Sequence, residues 1–287
     1  MTIDFVPDPA LYPFASRWHE SRVGRVHFVD EGHGRPLLFL HGNPTWSFLY
    51  RHLIRDLRDR FRCVAVDYPG FGLSDRPENY GYTPAEHAVV VRGLVEALDL
   101  DDLVVVGQDW GGPIGLAVAA DLADRVTGFA FGNTWFWPVD RTLTRLFSIG
   151  MSSPPMRWAI LRRNFFVERL IPMATERSLT EREMEHYRAV QPDAESRAGV
   201  AELPRQLRKS GPWLDALWRR VPRVLGDRPV LLTWGIKDFA FPAGHCVPRW
   251  EAAFADVELV RLTRANHFFQ EDAPDAVAHA IARRFAP

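Results

Sequence analysis

The stretch Gly-Gln-Asp-Trp-Gly-Gly at residues 107–112 decides the fold of this chain. It follows a short, apolar, β-branched run and precedes a segment with helical periodicity. A sharp turn from a buried strand into a helix lifts one side chain above the end of a sheet, and small flanking residues let the strand and the helix approach closely. Gly107 and Gly111 meet that requirement, so the pattern predicts a nucleophile elbow that carries Asp109.

The sequence around the elbow alternates between strand-like and helix-like segments. Short continuous apolar runs are typical of strands that are buried on both faces of a parallel sheet. They cover residues 25–30, 36–40, 63–66, 103–106, 129–131, 229–234 and 257–262. Helical periodicity covers 85–98, where Thr83 is the expected N-cap and Pro84 the first helical residue, and 114–123. The alternation predicts an α/β fold with a mostly parallel central sheet flanked by helices.

The character of the sequence changes between residues 135 and 221. This stretch is rich in arginine, proline and aromatic residues and contains no long β-branched run. Its clearest helical segment covers 180–190, and a last helix is predicted near the end of the chain, over 275–285. We therefore predict an α/β core domain formed by residues 1–134 and 222–287, with an inserted helical cap domain formed by residues 135–221.

Composition narrows the range of partners and compartments. The chain has 287 residues, is 47% hydrophobic and carries a formal net charge of −1, so one sizeable core is expected and no nucleic-acid partner is indicated. Its two cysteines, Cys63 and Cys246, do not form a cluster with metal-ligand spacing, so we expect no metal and a reducing compartment. The N-terminus lacks a long apolar stretch, which favours a soluble, cytoplasmic protein without a membrane partner.

An aspartate at the elbow restricts the chemistry. A carboxylate that attacks a carboxylic ester gives an anhydride, whereas a carboxylate that attacks an sp³ carbon gives an alkyl ester that water can cleave. Asp109 therefore predicts displacement of halide from a haloalkane or the opening of an epoxide. The alternative is an aspartate that only caps the following helix, and the flanking glycines argue against it.

Two later loops supply a candidate base and its acid partner. His267 follows the last predicted strand, and Asp238 follows the strand at 229–234. A carboxylate there would hold the imidazole in the tautomer that accepts a proton from water. The other histidines lack a comparable loop context.

A His-Gly loop after the strand at 36–40 completes the predicted machinery. In a nucleophile-elbow fold this loop and the residue after the nucleophile donate backbone N–H groups to an oxyanion. Those donors would be Asn43 and Trp110, while His41 is expected to be structural.

Four segments, residues 41–51, 67–74, 107–112 and 267–272, together resemble the haloalkane dehalogenases of the α/β-hydrolase superfamily, and the resemblance covers nearly the whole chain. It implies an α/β-hydrolase fold, no cofactor, a small halogenated aliphatic substrate and a bound halide ion. In that family the side chains of Asn43 and Trp110 would hold the halide. An indole N–H is a donor only, and an amide can turn its NH₂ group inward, which suits an anion.

The position of the acid narrows the resemblance to a subfamily. One large group of dehalogenases has a glutamate just after the sixth strand, but residues 132–135 here contain no carboxylate. An Asp-His-Asp triad with an Asn-Trp halide pair resembles the third subfamily, whose members tend to self-associate. The resemblance therefore implies that this chain can form homo-oligomers.

Aromatic residues of the predicted cap are candidates to line a dry substrate pocket. These candidates are Trp135, Phe136, Trp137, Phe147, Phe165 and Phe166. By resemblance, Pro204 and Phe268 also face the pocket. Which halide and which chain length fit depends on the shape of the cavity.

Three other functions remain open on the same scaffold. An epoxide hydrolase needs cap tyrosines as acids, and the segment 135–222 has a single tyrosine, Tyr187, which argues against it. A luciferase-like monooxygenase shares much of the scaffold. A non-catalytic ligand-binding receptor would have a broken triad, whereas suitable residues occupy all three positions here.

Overall fold

The structure is a computed structural model that describes residues 3–286. Its centre is an eight-stranded sheet with the strand order β1-β2-β4-β3-β5-β6-β7-β8. The strands are β1 (Arg17–Ser21), β2 (Gly24–Glu31), β3 (Pro36–Leu40), β4 (Arg62–Val66), β5 (Leu103–Asp109), β6 (Val126–Thr134), β7 (Val230–Gly235) and β8 (Val257–Leu262). Strand β2 is antiparallel to both of its neighbours, and the other adjacent pairs are parallel. The prediction of a mostly parallel sheet is confirmed.

The central strands form where the sequence is continuously apolar. Every residue of β3 and β5 is buried, as expected for strands covered on both faces. Strand β1 is the one the sequence reasoning missed. It is a largely exposed edge strand of sequence RWHES that pairs only with β2, so it carries no apolar run.

Helices cover both faces of the sheet. They are α1 (Arg51–Leu57), α2 (Pro84–Ala97), α3 (Gly111–Asp121), α4 (Thr142–Met151), α5 (Pro154–Arg163), α6 (Ile171–Met173), α7 (Glu181–Ala189), α8 (Ala198–Lys209), α9 (Gly211–Leu225), α10 (Ala243–Ala253), α11 (Phe269–Asp272) and α12 (Pro274–Phe285). Short 3₁₀ turns cover Ser47–Tyr50 and Ala123–Arg125, and a π-helical turn, Phe166–Leu170, leads into α6. Thr83 caps α2 with a reciprocal bond to Glu86, as the sequence predicts.

Two clusters of buried residues fill the space between the sheet and the helices on its two faces. One contains apolar residues of α2, α3, α9 and α10 on one face of the sheet, and the other contains residues of α1 and α12 on the opposite face. None of the helices within residues 3–286 combines the length and the hydropathy needed to span a lipid bilayer.

The segment between β6 and β7 is helical and comprises α4 to α9. Helices α4 and α5 pack on α8, while α9 packs along α3 of the core. Helix α9 continues through Pro222 to Leu225, so the predicted boundary between residues 221 and 222 falls inside a helix. The division into a core domain and a cap domain stays a prediction.

Candidate active site

The site lies where the parallel strands end, beginning with the elbow at the end of β5. Asp109 is the last residue of β5 and has a φ of +52°, in the left-handed region that side chains rarely adopt. A Cβ atom on Gly111 would lie 1.9 Å from the Leu40 carbonyl oxygen, and one on Gly107 would lie 2.8 Å from the backbone of Gly111. The Thr134 hydroxyl donates to the Asp109 carbonyl oxygen at 2.6 Å and fixes the turn. The glycines are therefore required by the close approach of strand and helix.

The Asp109 carboxylate is buried and only partly hydrogen-bonded. Its Oδ1 accepts from the backbone N–H of Asn43 at 2.9 Å, and the backbone N–H of Trp110 also interacts with the carboxylate. Burial raises the pKa of Asp109 above its ordinary value, although His267 and these two N–H groups oppose the shift. Oδ1 is thus held by a backbone donor of the kind predicted for an oxyanion hole, and Oδ2 lies 3.9 Å from His267 Nε2.

The predicted base and acid are in direct contact. His267 Nδ1 lies 2.8 Å from Asp238 Oδ2, and both residues are buried. Burial alone would raise the pKa of Asp238, but His267 and the N–H donors of Asn133 and Ala240 outweigh burial and lower it. Since an ionised Asp238 only accepts, the imidazole proton lies on Nδ1, and Nε2 is the unprotonated ring nitrogen on the side of Asp109.

Asn133 orients the acid, a contact that the sequence reasoning missed. Its Nδ2 donates to Asp238 Oδ2 at 2.8 Å and to the Gly235 carbonyl at 3.0 Å, while its Oδ1 accepts from the Gly235 N–H at 2.7 Å. Asn133 has a φ of +44°, a conformation that asparagine tolerates better than most residues. An asparagine that follows an apolar run could have signalled this special backbone position.

Gln108 is a second missed contact. It lies inside the elbow motif, is fully buried, and has its Nε2 2.7 Å from His267 Nε2. The partners are 159 residues apart, so neither spacing nor periodicity could pair them.

A cavity of about 340 Å³ opens onto these groups. Its walls are mostly apolar, as expected for a small-molecule site with few polar groups. The predicted site residues that line it are Asn43, Asp109, Trp110, Phe147, Phe166, Pro204, Asp238, His267 and Phe268. The structure therefore brings together residues from β5, from three loops that follow strands, and from the helical insertion.

The aromatic residues 135–137 lie outside this set. Trp135 makes an edge contact with Trp110, with 4.7 Å between ring centroids, and stacks on Phe241 at 4.9 Å, so it supports the wall from behind. Phe136 and Trp137 pack against Trp250 of α10 instead. Phe165 packs against a core cluster rather than onto the cavity. Residue type alone could not separate pocket aromatics from those that join cap to core.

The two predicted halide ligands present different groups. The Asn43 Nδ2 donates to the Val200 carbonyl of α8 at 3.2 Å, which fixes the amide and leaves its second hydrogen for another acceptor. The Trp110 ring is 2% exposed and lines the cavity beside Asp109. By contrast, His41 bonds to Gly42 O and Tyr68 N, and burial lowers its pKa to about 4, which suits a neutral structural residue.

A buried ion network lies behind the base. Arg51 donates to both oxygens of Glu271, at 2.6 and 2.8 Å, and to Glu183 Oε1 of α7 at 2.8 Å. Arg177 also pairs with both glutamates, and the Tyr187 hydroxyl donates to Glu271 Oε1 at 2.5 Å. The network joins helices α1 and α11 to helix α7 of the segment between β6 and β7.

Comparison with known proteins identifies the family. Residues 35–274 match the family model described as the alpha/beta hydrolase fold. Haloalkane dehalogenase 2 of Mycobacterium tuberculosis is 59% identical over 285 residues, which cover 99% of this chain and 100% of the relative. The chain belongs to the haloalkane dehalogenase family. A haloalkane dehalogenase of Sphingobium indicum is 33% identical over 96% of this chain and 98% of its own length.

Solved haloalkane dehalogenases share the fold over almost their full length. DatA from Agrobacterium tumefaciens superposes with a TM-score of 0.87 at 26% identity, covering 96% of this chain and 98% of that chain. DbeA from Bradyrhizobium elkani gives 0.86 at 26% identity, covering 94% and 97%. Membership of the haloalkane dehalogenase family makes this chain a hydrolase of the α/β fold.

Proposed function

We propose that this chain hydrolyses haloalkanes to an alcohol, a halide ion and a proton through an alkyl ester on Asp109. The observation that carries the proposal is a buried carboxylate at the elbow that lies next to a His–Asp pair, and all three residues line one mostly apolar cavity. An aspartate nucleophile suits an sp³ carbon, and relatives named as haloalkane dehalogenases support the same reaction class.

In the first step Asp109 Oδ2 attacks the carbon that carries the halogen. The C–O bond forms as the carbon–halogen bond breaks, and the bonding pair leaves with the halide. The attack is assigned to Oδ2, because Oδ1 already accepts from Asn43. The Trp110 indole N–H and the remaining Asn43 amide hydrogen would bind the departing halide, and such preorganised donors stabilise developing negative charge.

In the second step water cleaves the ester. His267 Nε2 takes a proton from water, and the hydroxide attacks the carboxyl carbon of Asp109. The tetrahedral oxyanion would form on the oxygen that faces the N–H groups of Asn43 and Trp110. Collapse of this intermediate breaks the bond between the acyl carbon and the alkyl oxygen, and the His267 imidazolium returns its proton to the departing alcohol. The Asp109 carboxyl group then releases its own proton to solvent, which regenerates the carboxylate and accounts for the proton among the products.

The first test is bromide release from a panel of terminal bromoalkanes and dibromoalkanes, with Asp109→Ala as the blank. Release by the wild type and none by the variant would support hydrolysis through Asp109. The absence of release across the panel would count against the proposal and direct attention to epoxides.

The indole donor of Trp110 can be tested by replacement with phenylalanine, which keeps an aromatic ring but removes the N–H. Loss of one donor to a developing anion typically costs about 100-fold in rate, so Trp110→Phe is expected to lower kcat/KM for bromoalkanes by about that factor. Trp135→Phe is the matched control, because its indole nitrogen is buried and its ring lies behind Trp110. Equal losses in both variants would contradict a halide-binding role.

The pH dependence of turnover should follow the protonation of His267, the proposed base. Burial alone would lower the pKa of His267, but the carboxylates of Asp238 and Asp109 outweigh burial and raise it above 6.5. A base acts in its neutral form, so turnover is expected to reach its maximum above this raised pKa and to fall as the pH decreases through it. A profile of kcat against pH checks this, and an acid limb centred well below 6.5 would disagree.

Epoxide opening has less support, because it requires acids that polarise the epoxide oxygen. Tyr187 is buried and donates to Glu271, and it does not line the cavity. Turnover of styrene oxide would reopen this alternative.

Light emission with coelenterazine and oxygen would indicate the luciferase-like monooxygenase, and ligand binding without turnover would indicate the receptor.

The remaining partners are proposals from the sequence. We propose a neutral halogenated aliphatic substrate, a bound halide and, from the resemblance to the third subfamily, a homo-oligomer that light scattering can test. The proposed location is the cytoplasm, where the free and buried thiols of Cys63 and Cys246 would stay reduced.

A further inference from the structure

The amide of Gln108 makes two contacts with the predicted base. Its Nε2 lies 2.7 Å from His267 Nε2 and 3.3 Å from the His267 backbone carbonyl oxygen. Gln108 belongs to β5 and immediately precedes Asp109, so the strand that carries the nucleophile also carries a ligand of the base.

The backbone contact fixes which way the amide faces. A carbonyl oxygen only accepts, so the atom of Gln108 that approaches it has to be the NH₂ group. The same NH₂ group then donates its other hydrogen to the imidazole Nε2. Nε2 can accept this hydrogen, because the Nδ1 proton is engaged with Asp238.

The hydrogen bond from the Gln108 amide favours a neutral His267 ring, whereas two neighbouring carboxylates favour the protonated ring. Asp238 contacts Nδ1 at 2.8 Å, and Asp109 Oδ2 lies 3.9 Å from Nε2, so both favour a protonated ring. The rings of Phe241 and Phe268 flank the imidazole and carry no charge, and Arg141 is the cation that lines the same cavity among residues 3–286. A protonated Nε2 would face the amide NH₂ with two donors and no acceptor between them.

We propose that Gln108 is a positioning residue for the base: between turnovers its amide occupies the Nε2 lone pair of His267 and keeps the ring neutral and unbonded to Asp109. The inference rests on the proposed function, in which Asp109 has to be ionised for attack and His267 neutral for the water step. Without this amide, an imidazolium N–H bonded to Asp109 would weaken the nucleophile and disable the base at once.

The test is an NMR titration of the His267 ring in ring-labelled protein, with the signal assigned from the spectrum of His267→Asn. Gln108→Met keeps the length of the side chain and removes the donor, so the His267 midpoint is expected to rise by about half to one pH unit, the size of one neutral hydrogen bond. Gln108→Glu places an acceptor at the same position, and its midpoint is expected to rise further.

The control is Gln206→Met, which removes a buried amide whose side-chain hydrogen bonds among residues 3–286 are to Glu202 and Ser210. It is expected to leave the His267 midpoint unchanged. An unchanged midpoint in either Gln108 variant, or an equal shift in the control, would overturn the inference.

A kinetic readout separates this inference from the proposed function. If the wild type releases bromide, Gln108→Met should lose turnover on the acid side and regain it above the new midpoint. A wild type that releases no bromide would refute the proposed function, while the NMR midpoints would still decide the role of Gln108. Bromide release with unshifted midpoints would refute the inference alone.

Discussion

Replacing His267 with phenylalanine is expected to stop turnover after one halide per molecule and to leave the alkyl group attached to Asp109. The first step needs only the Asp109 carboxylate and the halide donors, whereas the second step needs a base at water. Loss of a general base commonly costs 100- to 10,000-fold, so steady-state halide release should fall by about 1000-fold. The stoichiometric first release should persist, because Asp109 and its backbone donors are unchanged.

Intact-mass spectrometry after incubation with a bromoalkane checks this expectation. The His267→Phe protein should gain the mass of one alkyl group, and peptide mapping should locate the group on Asp109. The double variant Asp109→Ala/His267→Phe is the control and should keep its original mass. An unmodified His267→Phe protein that still releases halide would rule out the ester mechanism.

Removing the carboxylate of Glu271 is expected to give the largest loss of stability. Its Oε1 and Oε2 accept from Arg51, and the side chains of both residues are almost fully buried. Removal of one partner from a buried ion pair leaves an uncompensated charge, which typically costs about 3–5 kcal/mol. Glu271→Leu should therefore lower the free energy of unfolding by about that amount, reduced to the extent that Glu183 still pairs with Arg51.

Guanidinium denaturation measures this change. Glu96→Ala is the control, because Glu96 pairs with Arg92 on the surface and such exposed pairs contribute about 0–1 kcal/mol. The double variant Arg51→Met/Glu271→Leu should recover part of the loss, since no unpaired arginine remains. A loss in Glu271→Leu as small as that of Glu96→Ala would contradict the assigned role of the network.

The same network predicts the direction of acid destabilisation. Burial alone would raise the pKa of Glu271, but Arg51, Arg177 and the Tyr187 hydroxyl outweigh it and lower the pKa below its ordinary value. A group whose pKa is depressed by folding stabilises the folded state above its unfolded pKa, near 4.5. This contribution is lost as the pH falls below that value.

The sequence predicted those parts of the fold that local pattern encodes. Strands β3 and β8 have the predicted bounds, because each coincides with a short strand-like run in the sequence. Strand β1 escaped prediction because an exposed edge strand needs no apolar run. The predicted boundary between residues 221 and 222 falls inside α9, because the helix continues past Pro222, and the division into core and cap stays a prediction.

The site was predictable where chain order fixes position. Asp109 ends β5, Asp238 follows β7 and His267 follows β8, and the structure brings the three residues together. Asn133 and Gln108 could not be assigned roles, because their partners are more than a hundred residues away in the chain. Their contacts depend on side-chain directions that only the assembled sheet defines.

The hydrogen bond between Asn43 and helix α8 has a thermodynamic consequence for halide release. The Asn43 amide donates to the Val200 carbonyl of α8 and, in the proposed mechanism, also to the halide. Thermodynamic linkage is reciprocal. If the position of α8 in which Val200 accepts from Asn43 raises the affinity for halide by some factor, bound halide stabilises that position of α8 by the same factor. Displacement of α8 would then weaken halide binding when the halide has to leave the cavity. By the same linkage, added halide should slow amide hydrogen exchange in α8.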